Sequence, residues 1–405
     1  MKVTLQDIQT AEQAINSFIT ETSCNYNRSI SKLVGADIYL KLENNQRTGS
    51  FKMRGAVNKI ASLTSSERLK GVVACSAGNH AQGVALSASL SNVKSVIVMP
   101  ETAPLTKIEA TKNYGAEVIL KGQTFDDARD YAYQLAKEKS YIVVHPYEDE
   151  KIISGQGTIG LELSKQVKDL DLVVVPIGGG GLISGIAIAL KTLNPKIKII
   201  GVQAAVADSM FQLYKNLNSN NKTNESKVNL SSIADGIVIK APSQIMYDNF
   251  ISKYVDDVVV ITEGEIAEAI VFLLERTKSV AEGAGAAALA SVLSGKIKLQ
   301  KKNCILVSGG NIDLNIVSQV IQRGQIQRGR LSEMSVIVTD IPGSLSQLTR
   351  ILAEHKANVL EVHHDRVKLG LNLKETKIDF VIETTGHEHI KQIQAAFRTL
   401  GAKVL

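Results

Sequence analysis

Short runs of Val, Ile and Leu alternate with longer segments of helical periodicity from the start of the chain to residue 322. The short runs lack polar alternation and are bounded by Gly, Pro or Ser, which is typical of parallel strands buried on both faces. We predict strands at residues 37–42, 71–76, 95–99, 117–120, 171–176, 197–202, 258–262 and 304–307. Helical patterns such as those at 126–139 and 263–278 are long enough to connect them, so the sequence predicts a doubly wound α/β fold.

A basic, glycine-punctuated stretch at 323–330 interrupts this pattern, and we predict a linker at 323–332. Beyond it the order of predicted elements becomes βαββαβ, which is typical of a small independent domain of the ferredoxin-like type at 333–405. Its first helix is expected to begin at Pro342 and Gly343. Within the larger α/β region, residues 1–322, the Asn/Ser/Lys-rich segment 216–232 predicts a solvated loop.

The composition narrows the classes of function. Apolar residues make up 44% and charged residues 21% of the 405 residues, as in an ordinary globular protein. The net charge of +6 is spread along the chain and aromatic residues make up only 4%, which argues against nucleic-acid binding. No secretory signal or membrane-spanning run is evident. The three cysteines are far apart, so we expect reduced thiols in a cytoplasmic protein.

Four consecutive glycines are a candidate anion site. Gly178, Gly179, Gly180 and Gly181 follow a predicted buried strand, and Leu182 begins a helical pattern. Backbone N–H groups of such a turn, together with the N-terminus of the helix, can hold a phosphate. A tight strand-to-helix turn would also favour glycine, but two or three glycines would suffice for it.

Three further features follow predicted strands or begin predicted helices. Lys52 lies between Phe51 and an apolar-periodic helix, an unusual position for a surface lysine. Ser76-Ala77-Gly78-Asn79-His80 begins a helix, where backbone N–H groups could bind a carboxylate or where Ser76 or Asn79 could simply cap the helix. Ser308 ends the strand at 304–307, at the edge where α/β folds gather ligands, although it could be an ordinary turn serine.

Taken together, these motifs resemble those of the fold-type-II pyridoxal-phosphate enzymes and, within them, the threonine/serine dehydratases. The resemblance covers about residues 5–325 and depends on six motifs. They are Lys41-Leu42-Glu43 with Thr48-Gly49-Ser50-Phe51-Lys52-Met53-Arg54-Gly55, Ser76-Ala77-Gly78-Asn79-His80-Ala81-Gln82-Gly83, Ser154-Gly155-Gln156-Gly157-Thr158, the tetraglycine, Glu282-Gly283-Ala284-Gly285 and Ser308-Gly309-Gly310-Asn311. Residues 333–405 resemble an ACT-type regulatory domain through Asp340-Ile341-Pro342-Gly343-Ser344-Leu345 and Ala357-Asn358-Val359.

The resemblance implies a two-lobed catalytic region, with the smaller lobe at about 45–150, and a role for each matching residue. Lys52 would form the Schiff base with pyridoxal 5′-phosphate and Phe51 would pack beside its ring. Asn79 would bond the ring 3-oxygen and Ser308 would face the pyridine nitrogen. Residues 178–182 would hold the phosphate, and the backbone of 76–80 would hold the substrate carboxylate. A cofactor contact by Tyr147 stays open.

The implied reaction is β-elimination from L-threonine, and also from L-serine, to give a 2-oxo acid and ammonia. A neutral Ser308 at the ring nitrogen should favour elimination over reprotonation. The related serine racemases carry a serine acid where this chain has Ala77, and acidic metal ligands where it has Gln203 and Ser209, so we expect weak racemisation and no metal there. A serine racemase, a β-replacing synthase and a catalytically silent amino-acid sensor are the alternatives.

For the C-terminal domain, the resemblance implies an amino-acid effector near Pro342, Gly343, Ser344 and Asn358, and a homodimer or homotetramer. An oligomerisation module without a ligand is the alternative, because fold-level analogy alone supports the effector. The expected partners are therefore small amino acids, and neither nucleic acid nor membrane.

Overall fold

The computed structural model describes residues 1–216, 232–367 and 370–405. They form two compact units, Met1–Ile312 and Asp313–Leu405. The loop predicted at 216–232 lies, except for its two end residues, outside the described residues. None of the described helices is both long enough and apolar enough to cross a bilayer.

The first unit contains two sheets. Its strands are β1 (Cys24–Tyr26), β2 (Asp37–Leu42), β3 (Val72–Cys75), β4 (Ser95–Met99), β5 (Glu117–Leu120), β6 (Ile142–Val143), β7 (Leu172–Pro176), β8 (Lys198–Ala204), β9 (Asp257–Ile261) and β10 (Lys302–Val307). The larger sheet has the order β1-β2-β10-β7-β8-β9, and the smaller one β5-β4-β3-β6. Among these described strands, β1 and β2 pair antiparallel, and the other strand pairings are parallel, as predicted. The smaller sheet belongs to the lobe expected at about 45–150.

Helices connect these strands. In chain order they are α1 (Leu5–Ile15), α2 (Arg28–Val34), α3 (Lys52–Ala61), α4 (Ser65–Lys70), α5 (Asn79–Leu90), α6 (Leu105–Asn113), α7 (Phe125–Lys139), α8 (Glu150–Gln166), α9 (Gly181–Leu193), α10 (Ser209–Tyr214), α11 (Gln244–Met246), α12 (Ser252–Tyr254), α13 (Glu263–Phe272) and α14 (Gly283–Leu293). The helix predicted at 263–278 ends as α13 at Phe272 and continues as a π-helical turn, Leu273–Thr277. Another π-helical turn, Tyr247–Ile251, joins α11 to α12.

Burial explains why the strand prediction succeeded. All five side chains of β7 are buried, because β7 lies between β10 and β8 and is covered on both faces. Such a strand needs no polar positions, so it appears in the sequence as an uninterrupted apolar run. The strands β1 and β6 were not predicted, since three and two residues are too short to form a pattern.

The second unit is a helix followed by an antiparallel sheet with two helices. Its elements are α15 (Leu314–Gln327), β11 (Leu331–Thr339), α16 (Ser344–Glu354), β12 (Asn358–Asp365), β13 (Glu375–Glu383), α17 (His387–Thr399) and β14 (Lys403–Val404). From β11 onwards the elements follow in the order βαββαβ, which confirms the prediction. In the sheet, the strands lie in the order β12-β13-β11-β14. Phe380 of β13 stacks on Phe397 of α17 in its core, with ring centroids 6.1 Å apart.

Two boundaries of this unit differ from the prediction. The expected linker at 323–332 consists largely of the end of α15 and the start of β11, which leaves residues 328–330 between them. Arg and Gln are good helix formers, so a single glycine there does not end the helix. The helix expected to begin at Pro342 begins at Ser344, because Gly343 adopts φ +97° and caps it.

Candidate active site

Lys52 is the first residue of α3 and lies deep in the first unit, where its side chain is still partly accessible. Its Nζ donates a hydrogen bond to Pro146 O at 3.1 Å and lies 5.2 Å from the centre of the Phe51 ring. Burial lowers the pKa of this amine to about 8, although the charge of Glu282 opposes the shift. A substantial fraction of the amine is therefore neutral near physiological pH, as a nucleophilic lysine requires.

The end of β10 lies directly against the residues before Lys52. The Phe51 N–H donates to Ser308 O at 3.1 Å, and Ser50 forms a β-bridge with Gly309. The Ser308 side chain is 2% exposed, and its hydroxyl donates to Ala284 O at 3.3 Å. Ser308 is thus a neutral, buried group beside the Lys52 segment, as the predicted partner of a ring nitrogen should be.

The tetraglycine lies between β7 and α9, as predicted. Gly180 has φ +96°, and a Cβ added to Gly179 would lie 2.2 Å from the Tyr147 ring. The turn therefore needs glycine at both positions, and Tyr147 lies against it. The first N–H groups of a helix lack partners within the helix, so the start of α9 can donate to an anion. Tyr147 directly follows Pro146, so this turn and the Lys52 amine lie on the same side of the unit.

Asn79 begins α5 and contacts Glu282 and Asn311, two motif residues to which the resemblance gave no role. Its Nδ2 donates to Glu282 Oε1 at 2.6 Å, and its Oδ1 accepts from Asn311 Nδ2 at 2.7 Å. Burial and the charge of Asp235 raise the pKa of Glu282 to about 7, while the hydrogen bond from Asn79 and the charges of Lys107 and Lys52 lower it.

The predicted carboxylate site at residues 76–80 needs one correction. The Ser76 N–H donates to Val98 O at 3.2 Å, so it extends the small sheet and does not face a ligand. The Gly78 N–H donates to the Ser76 hydroxyl at 3.2 Å. The N–H groups of Asn79 and His80 occupy the first turn of α5, where helix geometry leaves them without intrahelical partners. This part of the predicted site therefore keeps N–H groups that can donate to a carboxylate.

Two side chains in this segment have limited acid–base capacity. His80 Nε2 lies 2.8 Å from Val144 O, and burial, with a smaller effect of the charge of Lys52, lowers the pKa of His80 to about 3. The ring is therefore neutral at physiological pH, and its Nε2–H is held by the carbonyl. Ala77 offers only a methyl group, so neither residue is a ready proton donor.

The remaining predicted positions are those compared with the metal site of the racemases and those of the expected effector site, and they make contacts of their own. Gln203 Oε1 accepts from the Phe211 N–H at 2.7 Å, and the Ser209 hydroxyl donates to Ile239 O at 3.1 Å. In the second unit, Gly343 and Ser344 form the turn into α16, where the Ser344 hydroxyl donates to Thr339 O at 2.8 Å. Asn358 begins β12, and its Nδ2 donates to Glu383 Oε2 at 2.9 Å.

The donor set fits the group that the resemblance implied. A glycine turn that side chains would fill, a partly neutral lysine amine, an amide donor at Asn79 and a neutral hydroxyl at Ser308 are groups that suit a phosphate, an aldehyde, a ring oxygen and a ring nitrogen, respectively. Sequence reasoning gave no role to Glu282, because the residue that it contacts is 203 positions away in the chain.

Comparisons with known proteins agree with this fit. The family model described as pyridoxal-phosphate-dependent enzyme matches residues 15–309, and the ACT domain model matches residues 332–402. The chain is 44% identical to an L-threonine ammonia-lyase of Thermotoga maritima over 402 residues, which covers 99% of each chain.

Two solved structures are similar to most of this chain. A serine racemase from Dictyostelium discoideum superposes with a TM-score of 0.70 at 38% identity, covering 77% of this chain and 99% of the racemase. The processed form of threonine deaminase isoform 2 from Solanum lycopersicum superposes with a TM-score of 0.72 at 32% identity, covering 80% of this chain and 91% of the deaminase. The chain belongs to the family of pyridoxal-phosphate-dependent enzymes and carries a C-terminal ACT domain.

Proposed function

We propose that this protein is an L-threonine ammonia-lyase that converts L-threonine into 2-oxobutanoate and ammonia and that also accepts L-serine. The relative from Thermotoga maritima, similar over nearly the whole of both chains, supports this substrate. The pyridoxal ring, when bound, supplies the electron sink that acidifies the Cα proton of an amino acid. The rest of the reaction depends on residues of this chain.

The observation that carries the proposal is the state of the Lys52 amine. Its pKa of about 8 leaves it able to lose its proton near neutrality, and within the part of the chain that the structure describes its Nζ donates to a carbonyl and to no carboxylate. Such an amine can bind the cofactor covalently and, once displaced by substrate, can take the Cα proton onto Nζ. The residues around it then hold the ligand, with the phosphate at 178–182, the ring oxygen at Asn79 and the substrate carboxylate at the start of α5.

Ser308 and Ala77 support elimination over racemisation. Ser308 is neutral and already bonded to Ala284 O, so it does not supply a proton to a ring nitrogen as a carboxyl group would. Ala77 cannot return a proton to the other face of Cα, because its side chain is a methyl group. Both features favour loss of the β-hydroxyl group after the Cα proton has been removed.

The test is an assay of 2-oxo acid formation from L-threonine and L-serine, with the wild type and Lys52→Ala. We expect 2-oxobutanoate from threonine with the wild type only. Formation of D-serine at a rate comparable with pyruvate would favour a racemase, and cofactor binding without any product would favour an amino-acid sensor. Ser308→Asp should reduce dehydratase activity, and undiminished activity would contradict the role given to Ser308.

We further propose that the C-terminal unit binds an amino-acid effector near Pro342, Gly343, Ser344 and Asn358, and that the enzyme is a cytoplasmic homodimer or homotetramer. The ACT match and the glycine-capped turn before α16 support the effector site. Calorimetric titration of the full-length enzyme with valine, isoleucine and threonine tests it, with Asn358→Ala as a variant that should weaken binding. No heat above that of dilution would favour an oligomerisation module.

A further inference from the structure

The side chain of Asn311 has an orientation that its contacts fix. Its Nδ2 donates to Thr48 O at 2.7 Å, and a backbone carbonyl can only accept. The same Nδ2 donates to Asn79 Oδ1 at 2.7 Å. Both hydrogens of this amide are therefore used. Its Oδ1 lies over Gly49, where an added Cβ would come within 2.3 Å, and Gly49 has φ +71°.

The hydrogen bond from Asn311 sets the orientation of the Asn79 amide. An amide that accepts through Oδ1 must present Nδ2 on its other branch, and that Nδ2 donates to Glu282 Oε1 at 2.6 Å. Thr48 O can only accept, so every hydrogen bond from it to Glu282 runs in one determined direction. We name this chain of groups, from Thr48 O through Asn311 and Asn79 to Glu282, the amide relay.

The amide relay leaves one hydrogen of Asn79 Nδ2 for a ligand, because an amide NH₂ has two hydrogens and Glu282 takes one. If Asn311 could not donate, the Asn79 amide would be held in this orientation only by its hydrogen bond to Glu282, and it could rotate by a half turn more easily. It would then present Oδ1, which repels an oxygen atom of a ligand. The donor at Asn311 thus decides which end of Asn79 a ligand meets.

Resting on the proposed function, we propose that Asn311 is a positioning residue, which acts through Asn79 to hold the free N–H of that amide ready for the ring oxygen of pyridoxal phosphate. Both hydrogens of the Asn311 amide are already used, so Asn311 offers no donor of its own to the cofactor. Its effect on cofactor binding therefore depends entirely on the presence of the Asn79 amide.

A double-mutant cycle on the full-length apo protein tests this dependence. The variants are Asn311→Asp, which is isosteric but cannot donate when ionised, Asn79→Ala, and the two combined. The readouts are the dissociation constant of pyridoxal phosphate and the position of its absorption band when bound. We expect Asn311→Asp to raise the dissociation constant about tenfold and shift the band when Asn79 is present, which corresponds to about 1.4 kcal/mol. With Asn79→Ala the same change should have less than about a twofold effect.

Asn303→Asp is the matched control, because Asn303 is a buried amide of β10 that also donates to two carbonyls, Asp37 O and Gln300 O. It should lower the melting temperature without shifting the band. An equal effect of Asn311→Asp in both backgrounds would mean that Asn311 does not act through Asn79, and would overturn the inference. If Asn311→Asp does not fold, Asn311→Ser repeats the cycle with one donor retained. Failure of the wild type to bind pyridoxal phosphate would instead overturn the proposed function.

Discussion

Two lysines of the first unit, eleven positions apart, are held in opposite ways. Lys41 is 0% exposed, and its amine contacts the Glu162 carboxylate, Thr22 O and Gln166 Oε1. Lys52 is partly accessible and its amine contacts Pro146 O. Burying an amine is costly unless an opposite charge compensates it. The cost is offset at Lys41, whereas at Lys52 it appears as a pKa lowered to about 8.

The compensated lysine belongs to a larger buried network. Arg54, also 0% exposed, donates to both oxygens of Glu43 and both of Glu162. Arg54 is on α3, two residues after Lys52, so this network fixes the helix that carries the reactive amine. Neighbouring motif residues therefore have different roles. Lys41 stabilises the scaffold, whereas Lys52 is left available for a ligand.

The largest expected effect comes from Lys52→Met. It should abolish formation of 2-oxobutanoate, by at least about 10³-fold, because nucleophile and base are both lost. The free energy of unfolding of the apo protein should not fall at neutral pH, since no carboxylate loses a partner and the cost of burying the amine is removed. Activity assays and chemical denaturation measure the two effects.

Lys41→Met is the matching change at the other lysine, and we expect it to affect stability instead of activity. It removes one partner of a buried ion pair, so we expect the free energy of unfolding to fall by about 3 kcal/mol. Activity per folded molecule should stay within about a factor of three, because Lys41 does not line the site. If Lys41→Met abolished activity in fully folded protein, the division between the two lysines would be wrong.

The pH dependence of cofactor capture tests the lowered pKa of Lys52. Only the neutral amine attacks the aldehyde, so the rate at which the apo protein captures pyridoxal phosphate should rise with pH and level off above about 8. At pH 7 a lysine of pKa 8 has about 300 times more neutral amine than one of pKa 10.5. Stopped-flow absorbance measures the rate, and a rise that continues towards pH 10 would contradict the assignment.

The lowered pKa of Lys52 also makes the stability of the apo protein depend on pH. The folded amine binds its proton less tightly than the unfolded one, so between pH 8 and 10.5 the unfolded state carries more protons. The contribution of Lys52 to the free energy of unfolding of the apo protein therefore rises with pH between 8 and 10.5. Lys52→Met should flatten this part of the stability profile, which a series of denaturation curves would reveal.

The smallest expected effect is that of Glu282→Gln. The charge of Glu282 raises the pKa of Lys52, so its removal should lower the midpoint of cofactor capture by less than about one pH unit. Glu282 itself titrates near 7, under the influence of burial, Asp235, Asn79, Lys107 and Lys52, so the variant should also remove any inflection there. An unchanged midpoint would mean that Glu282 does not act on Lys52.

The sequence predicted the fold well where burial is uniform along an element. Strand β7 is a continuous, fully buried apolar run, as is the part of β10 from Cys304 to Val307, and the ends of β7 and β10 carry the glycine turn and Ser308 as expected. The length of α15 was not predicted, because a basic stretch with glycine is compatible with both a linker and a helix. The two-residue strand β6 carries too little pattern to be detected.

For the candidate site, the motifs supplied candidate residues but did not show how these residues are connected. The contact between Asn79 and Glu282 joins distant parts of the chain, and the Tyr147 ring lies against Gly179 although neither sequence position specifies the other. The use of the Ser76 N–H by the small sheet depends on the register of β3 and β4. Such facts come from tertiary packing, which a local pattern does not encode.

The central claim is that, of Lys41 and Lys52, the one that forms no salt bridge with the described residues is the one that binds the cofactor. Borohydride makes a bond between pyridoxal phosphate and a lysine amine permanent, and mass mapping of peptides then locates it. We predict one modified site, at Lys52, with Lys41 unmodified. A modification at any other lysine, or none in a preparation that has bound the cofactor, would contradict the account.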